Sequence, residues 1–246
     1  VTPVTVHTRY TTNCDPRTAR DRPLIATDFA AQMPSRQELN DFRSELVEAI
    51  GGVWNRKLSL IDARPTTADR RPDPIPRVRC ALELQLVDRE SESPQLRVDL
   101  LYHPITDPRS TLGEFRSYCF IGGRQGTLSE ERTHDMALSW YGRGSLMRQR
   151  ELETADEGMV TMRQNVAAHE FGHYLGLEHA CQRQQVDGGA CDLTAYCIGR
   201  TRYMMEDLMA TGNTVRGRHG VPWKKAARRH HFFCGIPIRP VAVDDP

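Results

Sequence analysis

His169-Glu170-Phe171-Gly172-His173-Tyr174-Leu175-Gly176-Leu177-Glu178-His179 decides how this 246-residue chain is read. An α-helix advances about 100° per residue, so His169 and His173 leave nearly the same face, one turn apart. Both can present a ring nitrogen to one ion at roughly 2.0–2.1 Å. Glu170 projects beside them, placed to reach a water on that ion rather than the ion itself. His179 lies ten residues past His169. In an unbroken helix that is about 15 Å further along the axis, too far to share the ion. The chain must stop and double back, and Gly176 is where it can, because glycine enters the left-handed conformation at little cost. Three neutral imidazoles leave a fourth position open for water, which separates a hydrolytic zinc site from a closed structural one. A random chain of this length would carry the whole pattern in roughly one case in 100,000. Val166, Ala167, Phe171, Tyr174 and Leu175 surround the polar set with apolar side chains, as a partly buried helix requires.

The pattern resembles that of the metzincin clan of zinc endopeptidases, whose second signature is a methionine turn beneath the metal. Asp207-Leu208-Met209-Ala210-Thr211-Gly212 resembles that turn, with Met209 thirty residues after His179. Met204 and Met205 compete for the role, and the turn signal Thr211-Gly212-Asn213 favours Met209. The resemblance implies an α+β, zincin-like fold: a twisted mixed β-sheet, a backing helix, an active-site helix and a smaller C-terminal subdomain. One catalytic domain would span residues 1–246, divided near residue 176. It also implies one catalytic Zn2+ on His169, His173 and His179, with Glu170 as general base and Gly176 and Met209 as structural residues of the site. Two departures stand out. Ala180, after the third histidine, is not the residue usual in matrixins, astacins, adamalysins or serralysins. Thr211 stands where astacins and serralysins carry a tyrosine that approaches the metal, so no phenolic ligand carries over, and a divergent family is expected.

Charges nearly cancel, 33 basic against 32 acidic residues, so bulk electrostatics call for neither a nucleic acid nor a membrane partner. No stretch approaches the roughly 20 apolar residues that span a bilayer. Val1–Tyr10 lacks the charged start and apolar core of a signal peptide, so the chain reads as a processed form or an excised domain. Seven cysteines are present: Cys14, Cys80, Cys119, Cys181, Cys191, Cys197 and Cys234. Disulfides in the aperiodic loop from Ala180 to Arg200 would pin it beside the metal and imply an oxidising compartment. The alternatives are plain thiols, or a second zinc on Cys181, Cys191, Cys197 and Cys234, whose spacing lacks the short pair typical of structural sites. The context of Cys14 does not match the inhibitory cysteine of matrixin propeptides. Calcium stays open, since no acidic loop matches a calcium motif.

Along the chain, Val4–Tyr10 reads as a first strand. Ser35 opens a helix through Trp54, with Phe42, Leu46, Val47 and Ile50 at helical spacing, in the place of the metzincin backing helix. Lys57–Asp62, Val78–Val87 and Leu96–Tyr102 read as strands. Ser117–Ile121 and Met136–Tyr141 are further strands, either of which would be the exposed edge over the cleft, where an extended peptide can add. The metal-site helix is expected from Met159 to Leu175 and a last helix from Trp223 to Phe233. That helix carries the most basic run of the chain, read as a solvated face. His219, His230 and His231 are expected at the surface, and the Pro-rich tail 236–246 is expected to wrap it. By the same resemblance, Asn213 to Trp223 would help wall the specificity pocket.

The chemistry expected is metal-assisted hydrolysis of a peptide bond in a protein or peptide substrate, by a secreted monomer. Two alternatives remain at this level. One is a selective protease toxin or effector domain delivered into another cell. The other is a non-catalytic peptidase-fold binding module, against which the intact Glu170 argues, since a scaffold needs no base.

Overall fold

A computed structural model of the protein describes residues 34–63, 77–84, 86, 96, 98–102, 117–119, 136–181, 196–229 and 237–243. The expected first strand, Val4–Tyr10, lies outside them, as do Cys14, Cys191, Cys234, His230 and His231. Within them helices and largely antiparallel strands combine into an α+β fold, and no helix is long and apolar enough to cross a membrane.

Helix α1, Arg36–Trp54, starts at a reciprocal cap: Glu38 N–H donates to Ser35 Oγ, and Ser35 N–H donates to the Glu38 carboxylate. Two otherwise unpartnered amides are thereby satisfied. Its buried residues, Phe42, Leu46, Ile50 and Trp54, recur every four positions and make one core-facing stripe. Glu45 receives Trp140 Nε1–H and the backbone N–H groups of Gly144 and Leu146, which fastens the following loop to the helix.

Strand β1 (Leu58–Asp62) lies between β2 (Val78–Cys80) and β8 (Ile238–Ala242), antiparallel to both. The tail expected to wrap the surface thus completes a sheet instead. Pro240 misled the reading: it lacks an N–H, and the strand containing it is tolerated because β8 is outermost among the described strands. Strand β5 (Met136–Trp140) runs parallel to β3 (Val98–Tyr102) and antiparallel to β4 (Tyr118–Cys119). Flanked on both sides, β5 is not the free edge, and of the two candidates only β4 is outermost here.

The helix expected from Met159 is a strand for its first half. β6 (Met147–Thr154) and β7 (Gly158–Asn165) form an antiparallel hairpin. Along β7, Met162 and Gln164 are buried while Met159, Thr161 and Arg163 are exposed. That alternation of period two belongs to a half-buried strand. The switch falls at Asn165, whose Oδ1 accepts the Ala168 N–H at 3.0 Å and whose Nδ2 donates to the Ala49 carbonyl of α1. Asparagine at this position starts a helix, so α2 is the short span Val166–Tyr174.

Helix α2 packs on α1. Trp54 donates from Nε1 to the Ala168 carbonyl at 2.9 Å and meets Phe171 edge to face, while Trp223 stacks on its other side. The C-terminal segment adds α3 (Arg202–Met205), the 3-10 turn Gly217–Gly220 and α4 (Val221–Arg229). Helix α4 begins directly on the 3-10 turn, two residues before the expected Trp223, and residues 230–233 of the expected helix lie outside the described residues.

Candidate metal centre

β7 delivers α2 into the core, so that His169, Glu170 and His173 are all buried. The turn that follows is closed by Gly176 N–H donating to the His173 carbonyl and Leu177 N–H donating to the Gly172 carbonyl. Gly176 takes a φ of 90°, a conformation that a side chain would strain. Behind it the chain reverses and His179 comes back beside α2. Ring nitrogens of His169, His173 and His179 lie within 4.8 Å of one another, a group that could hold a metal ion.

Tautomers follow from the carbonyls. His169 Nδ1–H donates to the Leu208 carbonyl at 2.7 Å, and His173 Nδ1–H donates to the Leu177 carbonyl at 2.7 Å. Each ring therefore keeps a lone pair on Nε2, and backbone partners of this kind orient metal-binding imidazoles. His173 Nε2 lies 3.1 Å from His179 Nε2. Two nitrogens at tetrahedral angles on one zinc stand about 3.3 Å apart, so this pair is already spaced for a shared cation. Burial first, and the neighbouring His173 next, push the His169 imidazole well below its usual range. A ring held neutral in this way is in the form that binds metal. Three imidazoles, two of them with Nε2 left free by a backbone carbonyl on Nδ1, fit zinc.

Beneath the histidines, Asp207 and Thr214 bridge the ends of a tight loop, and Ala210 and Gly212 donate back to the Asp207 carbonyl. Met209 is buried in it, and a Cβ on Gly172 would collide with the Met209 sulfur. Of the rival methionines, Met205 is buried in a separate small cluster and Met204 is 40% exposed. Thr211 turns away, donating its hydroxyl to the Met205 carbonyl.

Several residues of this neighbourhood carried no sequence signal. Tyr196, from the aperiodic loop, packs with its ring centroid 4.2 Å from that of His179 and also stacks near His169. Cys181 and Cys197 form a disulfide that fixes Tyr196 there, and since they bind each other they are not ligands of a second zinc. Gln164 spans from the His169 ring to the Ala210 carbonyl, to which it donates at 2.8 Å. Alternation in β7 points to its burial. His219, expected at the surface, is 1% exposed. Its Nδ1 accepts the Arg216 N–H, which leaves Nε2–H to donate to Asp207 Oδ1 at 3.0 Å. A buried carboxylate partner is what brings this histidine inside.

The described geometry brings three histidines, from a short helix and the chain returning past it, into a group that could hold a metal ion. Residues 127–215, roughly a third of the chain, match the model of metallo-peptidase family M12 (Reprolysin_5). Over that span the protein is metzincin-like, and the match supports a zinc metallopeptidase, running through Ala180 despite its departure from the usual pattern. Neither the curated proteins nor the solved structures yield a match.

Proposed function

We propose that the chain is a zinc-dependent endopeptidase, a single catalytic domain over residues 1–246 whose subdomains divide near residue 176. The observation that carries this reading is the convergence of three imidazole nitrogens within 4.8 Å of one another, with the buried Glu170 next to His169 on the same helix. His169, His173 and His179 would hold the ion, which supplies an acidified water and a Lewis acid for the scissile carbonyl. Glu170 accepts the proton from that water and passes it to the leaving amine. Leu208 and Leu177 keep the first two rings aligned through their carbonyls, and Met209 floors the site. The disulfide beside the site favours an oxidising, extracellular setting, and the protein is taken to act as a monomer on protein or peptide substrates.

Chelator-sensitive digestion of an unfolded protein such as casein tests the reading. Glu170→Ala should keep one equivalent of zinc while losing most cleavage, on the order of a hundredfold or more. Full activity in that variant, or digestion unaffected by chelator, would overturn the proposal.

A further inference from the structure

Against the methionine loop lies a half-open cavity of about 720 Å³, bordered also by Ala180, which follows His179, and by Cys197. Its walls are Tyr203 and Asp207 from the segment before the loop, Arg216 and Arg218 after it, and Arg239 and Val241 from β8. None of the three histidines lines it. Among the described residues three guanidinium groups and one carboxylate line it, an excess of two positive charges on a concave wall.

The three arginines are not equivalent. Arg216 is 12% exposed and fixed: it lies over the Tyr203 ring with its guanidinium carbon 3.6 Å from the centroid, donates to the Tyr203 carbonyl and stands 3.3 Å from Asp207 Oδ2. Arg218 reaches the same oxygen at 2.6 Å while staying half exposed. Arg239 projects from β8, exposed, with no ion pair among the described residues. Asp207 is thus engaged by Arg216, Arg218 and His219, and among the described residues of the cavity wall no carboxylate faces Arg239. Concavity concentrates such a field, and guanidinium forks match carboxylate geometry in a way an ammonium does not.

We propose that this cavity, lined by none of the three histidines, is a docking site for an acidic peptide segment. The volume decides against a bare inorganic anion: it lies within the range that takes a multi-group ligand, about 300–1,000 Å³. Tyr203 and Met204, 64% and 40% exposed, give the same cavity an apolar floor suited to the stems of side chains. Aspartate or glutamate carboxylates would pair first with Arg239; Arg218, half exposed but already reaching Asp207 and the Ala180 carbonyl, would add its remaining N–H groups. The site uses neither the three histidines nor Glu170, although Asp207 also anchors the methionine loop, so binding of an acidic peptide is read separately from cleavage.

Fluorescein-labelled hexaglutamate and hexaglutamine, titrated by anisotropy into the zinc-loaded full chain carrying Glu170→Ala, test it without cleavage. Hexaglutamate should bind with an affinity that falls as salt rises, and hexaglutamine should not bind measurably. Arg239→Glu should weaken hexaglutamate by about tenfold or more, the scale of one lost charge-assisted pair. Arg228→Glu, an equal change in net charge on α4 outside the cavity, should alter it less than about twofold. Melting temperatures of both variants should match the parent, so loss of binding is not loss of fold. Equal binding of the two peptides would overturn the proposal, as would equal effects of the two variants, which would mean bulk charge alone. Complete displacement of hexaglutamate by millimolar inorganic phosphate would also overturn it, in favour of a small-anion site. None of these outcomes depends on whether the chain cleaves peptides.

Discussion

Gly172 sits directly over the sulfur of Met209, with no room for a side chain between the metal-site helix and the loop beneath it. The same imaginary methyl would press on Trp54, whose ring lies on the other side. Gly172→Ala should therefore overpack the core and destabilise the fold by about 1–3 kcal/mol. Met209→Ala leaves a cavity instead and should cost about 2–5 kcal/mol. The two changes compensate in volume, so the double variant should lose less than the sum. Urea unfolding of the four proteins gives the coupling directly, and strict additivity would mean that the two residues do not touch.

Metal should stabilise the folded chain, because the three imidazoles are brought together only by folding. A ligand present at 100 times its dissociation constant adds about 2.7 kcal/mol. Zinc should accordingly raise the melting temperature of the chelated protein, and His179→Ala should remove most of that rise along with much of the bound zinc. A melting temperature indifferent to zinc would take His179 out of the proposed ligand set.

How much of this was legible from residues alone depended on the range of the interaction. Ser35 and Glu38 mark the start of α1 within four positions, and the spacing of Phe42, Leu46 and Ile50 marks its buried face. The grouping of the three histidines is equally local, because helix pitch fixes His169 against His173 and Gly176 permits the return of His179. The β7–α2 junction was missed because Met159, Val160, Met162 and Val166 satisfy a helical period nearly as well as an alternating one. Only the cap made by Asn165, with its side chain reaching Ala49, resolves the ambiguity. His219 and Tyr196 were out of reach for another reason. Their partners, Asp207 and His179, are defined by tertiary contact across segments with no periodic pattern.

Asp207 is the charge on which the methionine loop hangs: Oδ1 accepts the Met209 N–H at 2.9 Å and the His219 Nε2–H, while Oδ2 faces Arg216 and Arg218. Burial by itself would raise its pKa, but the hydrogen bond from His219, with the bond and charge of Arg218, outweighs that and holds it below the usual carboxylate value. A depressed folded-state pKa contributes stability above the unfolded value, near 3.9, and that contribution fades as pH falls through the lower folded value. Asp207→Asn should cost about 1–3 kcal/mol at neutral pH, since it leaves buried partners unsatisfied. The gap between parent and variant should narrow as pH drops below about 4. Unfolding free energies measured from neutral pH down to acid check the sign, and a gap that widens with acid would contradict it.

The Cys181–Cys197 disulfide closes a loop with a sequence separation of 16, and Tyr196, next to its second cysteine, packs on His179. Closure of a loop this short restricts the unfolded chain by about 3 kcal/mol in the chain-entropy account. Cys181→Ser with Cys197→Ser should lose stability on that scale. It should also free the segment carrying Tyr196, so that His179 is no longer buttressed on its loop side. The double variant should therefore bind zinc more weakly than the parent, by several-fold to about tenfold, as when a supporting contact of a metal ligand is removed. Tyr196→Ala should reproduce the loss of zinc affinity without the loss in unfolding free energy, which separates the buttress from the cross-link. If the cysteine variant loses stability while its zinc affinity stays at the parent value, the disulfide secures the loop without supporting the metal centre.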